Sequence, residues 1–213
     1  EVTGIDISQG RVTGVQTTRG QISAKKVGIV VAGRSGQVAA MAGMRLPIES
    51  HVLQAFVTEG LKPCIDHVIS FGMGHFYISQ SDKGGLVFGG DLDFYASYAQ
   101  RGNLPMKEHV MEAGMTLMPM IGKARVLRSW GGIMDMTPDG SPIIDKTDIE
   151  GLYIDCGWCY GGFKAVPASG YCFAHLLATD KHHEFASGFR LDRFKTGYGL
   201  IDEEGTGSQH NLH

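Results

Sequence analysis

Apolar residues recur in short alternating runs through the first thirty positions: Val2, Ile5 and Ile7, then 12–17, then 22–24 and 27–31. Gln9-Gly10 and Arg19-Gly20 separate these runs, so the pattern predicts a small β-meander that ends on a buried strand. Gly33-Arg34-Ser35-Gly36 interrupts it before a short helix containing Val38 to Met41. A second β-rich stretch covers 48–94, where 75–80 and 86–90 read as two strands joined by Ser81-Asp-Lys-Gly-Gly, a hairpin signal. Residues 105–118 have helical spacing, with Pro105 placed for a first turn and Pro119 as a stop. The methionines of this helix read as core filler.

Beyond Ala124 the pattern becomes extended again, with a turn at Thr137-Pro-Asp-Gly and a short buried strand at 152–156. A glycine-rich stretch, CGWCYGGFKAVPASG (156–170), follows that strand. A helix over 166–178 is predicted to bury Tyr171, Phe173, Leu176 and Leu177. The last eleven residues, EEGTGSQHNLH, are polar and expected to lack order.

Composition narrows the class. Hydrophobic residues at 43% and charged residues at 19% are those of a soluble globular protein, and 213 residues suffice for one good core, or one and a half domains. A net charge of −3 argues against nucleic acid or an anionic membrane as the main partner. The longest apolar run, 27–32, is strand-sized, so no membrane span is expected. Four cysteines without a targeting segment suggest a reduced, cytoplasmic setting. The first residue is Glu1, inside a run of strands, which reads as the start of a fragment.

Two patterns compete in 156–170. Cys156 and Cys159 have C-x-x-C spacing, but a zinc site needs two further ligands at compatible spacing, and Cys64 and Cys172 supply no matching knuckle. A redox pair needs a thioredoxin-like βαβ unit, which is absent, so small buried residues beside a loop are the better reading. The glycines point elsewhere. A strand, a glycine turn and a helix N-terminus present outward N–H groups and a positive dipole end, and Gly161 and Gly162 let backbone approach a flat ring. Lys164 adds a cation. A plain tight corner explains the glycines equally well at this point. The nine histidines lack metal spacing, and no nucleophile elbow, P-loop, EF-hand or G-x-G-x-x-G occurs.

Several stretches, in order along nearly the whole chain, resemble one family. They are VTGVQTTRGQISAKKVGIVVAG, LPIESHVLQAFVTEGLKP, FYISQSDKGGLVFGGDLDFY, RSWGGIMDMTPDGSPIID, CGWCYGGFKAVPASG and FRLDRFKTGYGLIDE. The chain is similar to the C-terminal half of the β subunits of heterotetrameric sarcosine oxidases, within the flavin-dependent amine and D-amino-acid oxidase group.

The resemblance implies an α/β, α+β-like fragment: an antiparallel-sheet substrate domain plus C-terminal parts of a Rossmann-type FAD-binding domain whose N-terminal half is missing. The implied layout is 1–47 meander and strand of the FAD domain, 48–130 substrate domain, 131–180 return with the flavin loop and helix, and 181–213 extension and tail. Val2 is implied to lie against the adenine, with Gly157, Tyr160, Gly161, Gly162, Phe163 and Lys164 at the flavin ring. Lys164 matches a lysine that helps bind the substrate carboxylate in monomeric sarcosine oxidases. The strand GGLVFGGDLDF has no lysine where those enzymes place a basic residue for oxygen chemistry.

The implied reaction is oxidation of sarcosine to glycine at FAD, with electrons passing to FMN and oxygen and the one-carbon unit to tetrahydrofolate. The histidine that holds FMN covalently is expected upstream of residue 1. Partner α, γ and δ subunits are implied, and no nucleic acid or membrane. A dimethylglycine or other N-methyl amino acid dehydrogenase is the alternative within the group, and a non-redox ligand-binding module the alternative outside it.

Overall fold

The structure is a computed structural model that describes residues 1–72, 76–93 and 95–195. The polar tail predicted to lack order, and His75 at the start of the predicted hairpin, lie outside the described residues. In chain order the first elements are β1 (Val2–Ser8), β2 (Arg11–Thr17), β3 (Gly20–Ser23), β4 (Val27–Ile29), α1 (Ser35–Met41), β5 (Glu49–Gly60) and β6 (Ile69–Phe71). Then come β7 (Phe76–Gln80), β8 (Gly85–Leu92), α2 (Leu104–Leu117), β9 (Val126–Met136), β10 (Ile143–Lys146), β11 (Leu152–Cys156) and α3 (Gly162–Thr179). Two compact units form, Glu1–Ser50 with Met134–His213, and His51–Ile133. No helix among the described residues is long and apolar enough to cross a membrane.

In the first unit β1, β2 and β3 make an antiparallel meander. Gln9 and Gly10, both at positive φ, form the first of its turns. β4 does not continue the meander. It joins a separate sheet of order β10-β11-β4, pairing parallel to β11 with Leu152 opposite Val27 and Ile154 opposite Ile29. The period of two along β11 then builds two cores at once. Leu152, Ile154 and Cys156 pack with Ile5, Val12, Ile29, Ala39 and Ile143. Tyr153 packs with Ile144, Cys172, Phe173 and Leu176, which α3 supplies apart from β10's Ile144. Each fully buried Leu or Ile contributes roughly 1.5–3 kcal/mol, so β11 is the spine of this unit.

Two expectations change here. The apolar run 27–31 is not buried throughout: the strand stops at Ile29, and Val30 and Val31 stand 57% and 40% exposed. Helix α3 begins at Gly162 rather than 166, and Tyr171 is 62% exposed. Tyr171 lies two residues from Phe173, about 200° around the helix, so the face that buries Phe173 and Leu176 turns Tyr171 outward.

In the second unit a five-stranded sheet has the order β6-β7-β8-β5-β9. Phe56, Ile78, Leu86 and Phe88 pack one of its faces against Met106 and Val110 of α2. The Phe56 and Phe88 rings stack at 5.4 Å. The predicted hairpin joins β7 to β8, closed by Gly84 N–H donating to Ser81 O at 2.8 Å, with Gly84 at φ +84°. Helix α2 starts at Leu104, one residue ahead of the predicted start, and Asn103 caps it by accepting from Met106 N at 2.8 Å.

Candidate functional site

Parallel pairing puts the carboxyl ends of β4 and β11 side by side, the position at which open α/β sheets bind ligands. Both strands leave through unusual backbone. After β4, Ala32 adopts φ +46° and the chain turns into α1, held by Ser35 Oγ donating to Ala32 O at 2.6 Å and Ser50 Oγ to Gly33 O at 2.8 Å. After β11, Gly157 has φ +73°, and a Cβ there would lie 2.4 Å from Thr137 Cγ2. Cys159 follows at φ +49°, a left-handed conformation that a residue with a Cβ adopts at a cost of about 1–2 kcal/mol.

The TPDG segment holds this turn. Asp135 accepts twice, from Gly157 N with its carboxylate and from Cys159 N with its carbonyl at 3.1 Å. Thr137 Oγ1 donates to Ser141 O at 2.8 Å and lies 3.6 Å from Cys159 Sγ. Trp158 Nε1 donates to Asp155 Oδ1 at 2.6 Å, and Gly161 N to Trp158 O at 2.8 Å. Beneath these contacts Asp139 and Arg193 form a buried bidentate pair, at 2.8 and 3.1 Å, and Arg193 also donates to Ser141 O. Residues 135–141 and the C-terminal turn around Arg193 thus fasten the glycine loop.

The cysteines are free thiols: Cys156 is fully buried and Cys159 half-buried. Burial, followed by the nearby charges of Asp135 and Asp155, pushes the Cys156 thiol far above its ordinary value. Burial likewise raises Cys159 and Cys172. Thiols held protonated are poor nucleophiles for redox exchange. No group of three or more His, Cys, Asp or Glu that could hold a metal occurs among the described residues. Burial also raises Asp135 and Asp155, and for Asp155 the neighbouring Asp135 charge adds to it.

The structure gathers Gly157, Tyr160, Gly161, Gly162, Phe163 and Lys164 on the loop and the first turn of α3. Phe163 is 97% exposed and Tyr160 half-exposed, while Lys164 is exposed and pairs with no described residue. Gly161 occupies the N-cap position with no side-chain hydrogen bond, so the first-turn amides have no side-chain acceptor. Uncapped donors at the positive end of an 18-residue helix, beside an apolar aromatic surface, fit the pyrimidine edge of a flavin. Val2 stands apart from this group, at the start of β1 opposite Thr17 in the meander sheet. Sequence reading missed Asp135, Asp155 and Arg193. The D-x-T-P-D spacing signals a turn, but not which amides its carboxylates meet.

Comparison with known proteins gives a consistent set of likenesses. The family described as FAD dependent oxidoreductase, DAO, matches residues 1–176. The sarcosine oxidase subunit beta of Rhizobium meliloti is 67% identical over 213 residues, which is 100% of this chain and 51% of that protein. The protein of the same name from Rhodobacter capsulatus is 48% identical over 210 residues, 99% of this chain and 50% of that protein. The crystal structure of L-proline dehydrogenase from P. horikoshii superposes with a TM-score of 0.80 at 28% identity, over 94% of this chain and 55% of that one. The chain therefore spans about half the length of the curated relatives it matches.

Proposed function

The chain belongs to the family of FAD dependent oxidoreductases, and on that premise we propose that it forms part of a flavoprotein that oxidises sarcosine to glycine. One observation carries the reading: Lys164, exposed and unpartnered among the described residues, stands in the first turn of α3 beside amides that lack a side-chain cap. When bound, FAD supplies a two-electron acceptor. Gly157, Tyr160, Gly161, Gly162 and Phe163 would hold its ring, and the first-turn amides with the helix dipole would favour negative charge there. Val2 contacts the adenine. Lys164 binds the substrate carboxylate as a point cation and so orients the N-methyl group for oxidation, a positioning role.

In this reading residues 1–47 and 131–180 serve FAD, 48–130 serve the substrate, and 181–213 extend the fold. The name of the relatives, a subunit beta, supports an assembly of several chains. We place the chain in a cytoplasmic heterotetramer with α, γ and δ subunits. There FMN, as a second flavin, would be the electron acceptor ahead of oxygen, and tetrahydrofolate would be the acceptor for the one-carbon unit.

The test is Lys164→Met in the full-length protein assembled with its partner subunits. Loss of a charged hydrogen bond to the carboxylate is expected to lower kcat/KM for sarcosine by roughly 1.5–3 kcal/mol of transition-state binding, with FAD content unchanged. An unchanged kcat/KM removes Lys164 from the site. Turnover of dimethylglycine in preference to sarcosine reassigns the substrate.

A further inference from the structure

Asp135 has no counterpart among the other buried acids of this unit. Asp139 has the Arg193 guanidinium at 2.8 Å, and Asp145 has the His182 ring at 2.8 Å and the Leu191 amide. Asp155 is met by the Trp158 indole. Asp135 is 3% exposed and forms no ion pair among the described residues; its carboxylate is met by backbone N–H of the glycine loop, chiefly that of Gly157. Its own carbonyl takes the Cys159 amide. Both left-handed residues of the turn, Gly157 and Cys159, are thus bonded to this one residue.

A neutral Asn in this place could accept from Gly157 N without the cost of burying a charge. A carboxylate makes that bond roughly twice as strong. It also divides the loop by polarity. The Gly157 amide at the start of the loop is bonded to the anion, while the amides at the start of α3 have no side-chain cap.

We propose that Asp135 is a positioning residue for flavin binding: its buried carboxylate holds the Gly157–Cys159 turn in the left-handed shape that presents the first-turn amides of α3 to the cofactor. The assignment rests on the flavin reading above and goes beyond it, since Asp135 itself touches neither substrate nor cofactor. The groups around it are Asp155, whose ionisation it opposes, the thiols of Cys156 and Cys159, which its charge helps keep protonated, and the Asp139–Arg193 pair, whose charges reach the same two thiols. Because burial raises the Asp135 carboxyl from its ordinary value, lowering the pH protonates it sooner than an exposed aspartate and weakens its hold on the turn.

The experiment measures FAD affinity against pH in the full-length protein with its subunits, for wild type, Asp135→Asn and Asp155→Asn. Wild type is expected to lose affinity as the pH falls through the Asp135 titration. Asp135→Asn keeps an acceptor but not the charge. It is expected to bind FAD about tenfold more weakly at neutral pH, the scale of one charge-assisted hydrogen bond, and to lose the acid limb. Asp155→Asn keeps the limb but moves it to lower pH, because removing a neighbouring negative charge eases ionisation of Asp135.

Hydrogen exchange at the Gly157 amide of the flavin-free protein gives a second readout. Asp135→Ala is expected to speed it about tenfold or more. Wild-type affinity and an intact acid limb in Asp135→Asn overturn the assignment, as does unchanged exchange in Asp135→Ala. Should Asp135→Ala not fold, the Asn variant and its pH profile decide. A wild-type protein that takes up no FAD overturns the flavin reading instead, and the exchange measurement still judges whether Asp135 holds the turn.

Discussion

Gly157 and Gly170 lie thirteen positions apart on the same strand-loop-helix segment, yet the same substitution should have opposite effects at the two. Gly157 sits at φ +73°, and its Cβ position is 2.4 Å from Thr137 Cγ2, so Gly157→Ala meets both backbone strain and a clash. Gly170 lies inside α3 with nothing within 4 Å of its Cβ position. Replacing glycine by alanine in a helix interior gains roughly 0.5–1 kcal/mol. Thermal unfolding should show Gly157→Ala destabilised by at least about 1–2 kcal/mol, and Gly170→Ala neutral to slightly stabilised. A tolerant Gly157→Ala would mean that the turn has another accessible shape. Both glycines were visible in the sequence as one cluster. Their difference was not, because φ and the neighbour at Thr137 come from how 134–141 packs.

At the scale of elements, the end of α3 is fastened as deliberately as its start. Asp180 caps the helix in a left-handed conformation, with its carboxylate between the Lys26 ammonium at 2.9 Å and the Tyr153 hydroxyl. Lys26 also donates to Leu177 O at 2.6 Å, a carbonyl of the last turn. The hydrogen bond from Lys26, and then that from Tyr153, holds the Asp180 carboxyl below its ordinary value of 3.8. Asp180 in turn raises Lys26 above 10.5. A depressed carboxylate stabilises the fold fully above its unfolded value and ceases to as the pH falls through the folded one. The raised lysine stabilises below its unfolded value and ceases to as the pH rises through the folded one. Asp180→Asn keeps a residue that tolerates the left-handed cap. It should melt earlier than wild type at neutral pH, with the gap closing as the pH falls through the lowered Asp180 titration and narrowing again in strong alkali. A gap independent of pH in thermal melts would show that the ion pair is not its source. Sequence periodicity located α3 and its buried Phe173 and Leu176, but Lys26 and Asp180 come from distant parts of the chain.

For the whole molecule, the decisive contact is the return of the C-terminal segment onto the site. Arg193 and Asp139 are 8% and 4% exposed, so removing one partner strands the other's charge in the interior. Arg193→Met should cost about 3–5 kcal/mol, whereas Arg193→Met with Asp139→Asn should recover much of it, because the double variant buries no lone charge. Chemical denaturation of the four proteins of this cycle measures the coupling. Equal losses for the single and double variants would show that packing, and not the ion pair, carries the contact. The backbone supports the same closure: Ile144 N–H donates to Phe189 O at 2.8 Å and Leu191 N–H to Asp145 Oδ2 at 2.8 Å. Residues 182–194 therefore belong to the core of the first unit and brace the segment that shapes the glycine loop.

The sequence by itself determined the elements whose signal is local: the meander with its Gln9-Gly10 turn, the SDKGG hairpin, α2 between Pro105 and Pro119, and β11 with the glycine loop after it. Side-chain period and turn chemistry operate over a few residues, so they survive without a fold. Its motifs also resemble those of a flavin-dependent family, to which the chain belongs. Tertiary structure alone decided that β4 leaves the meander to pair parallel with β11, that Val30, Val31 and Tyr171 face outward, and that Asp135, Thr137 and Arg193 lock the loop. The physical reason is the same in each case. Parallel pairing and buried charge are satisfied by partners from remote parts of the chain, and a carboxylate carries no local mark of the amide it will meet.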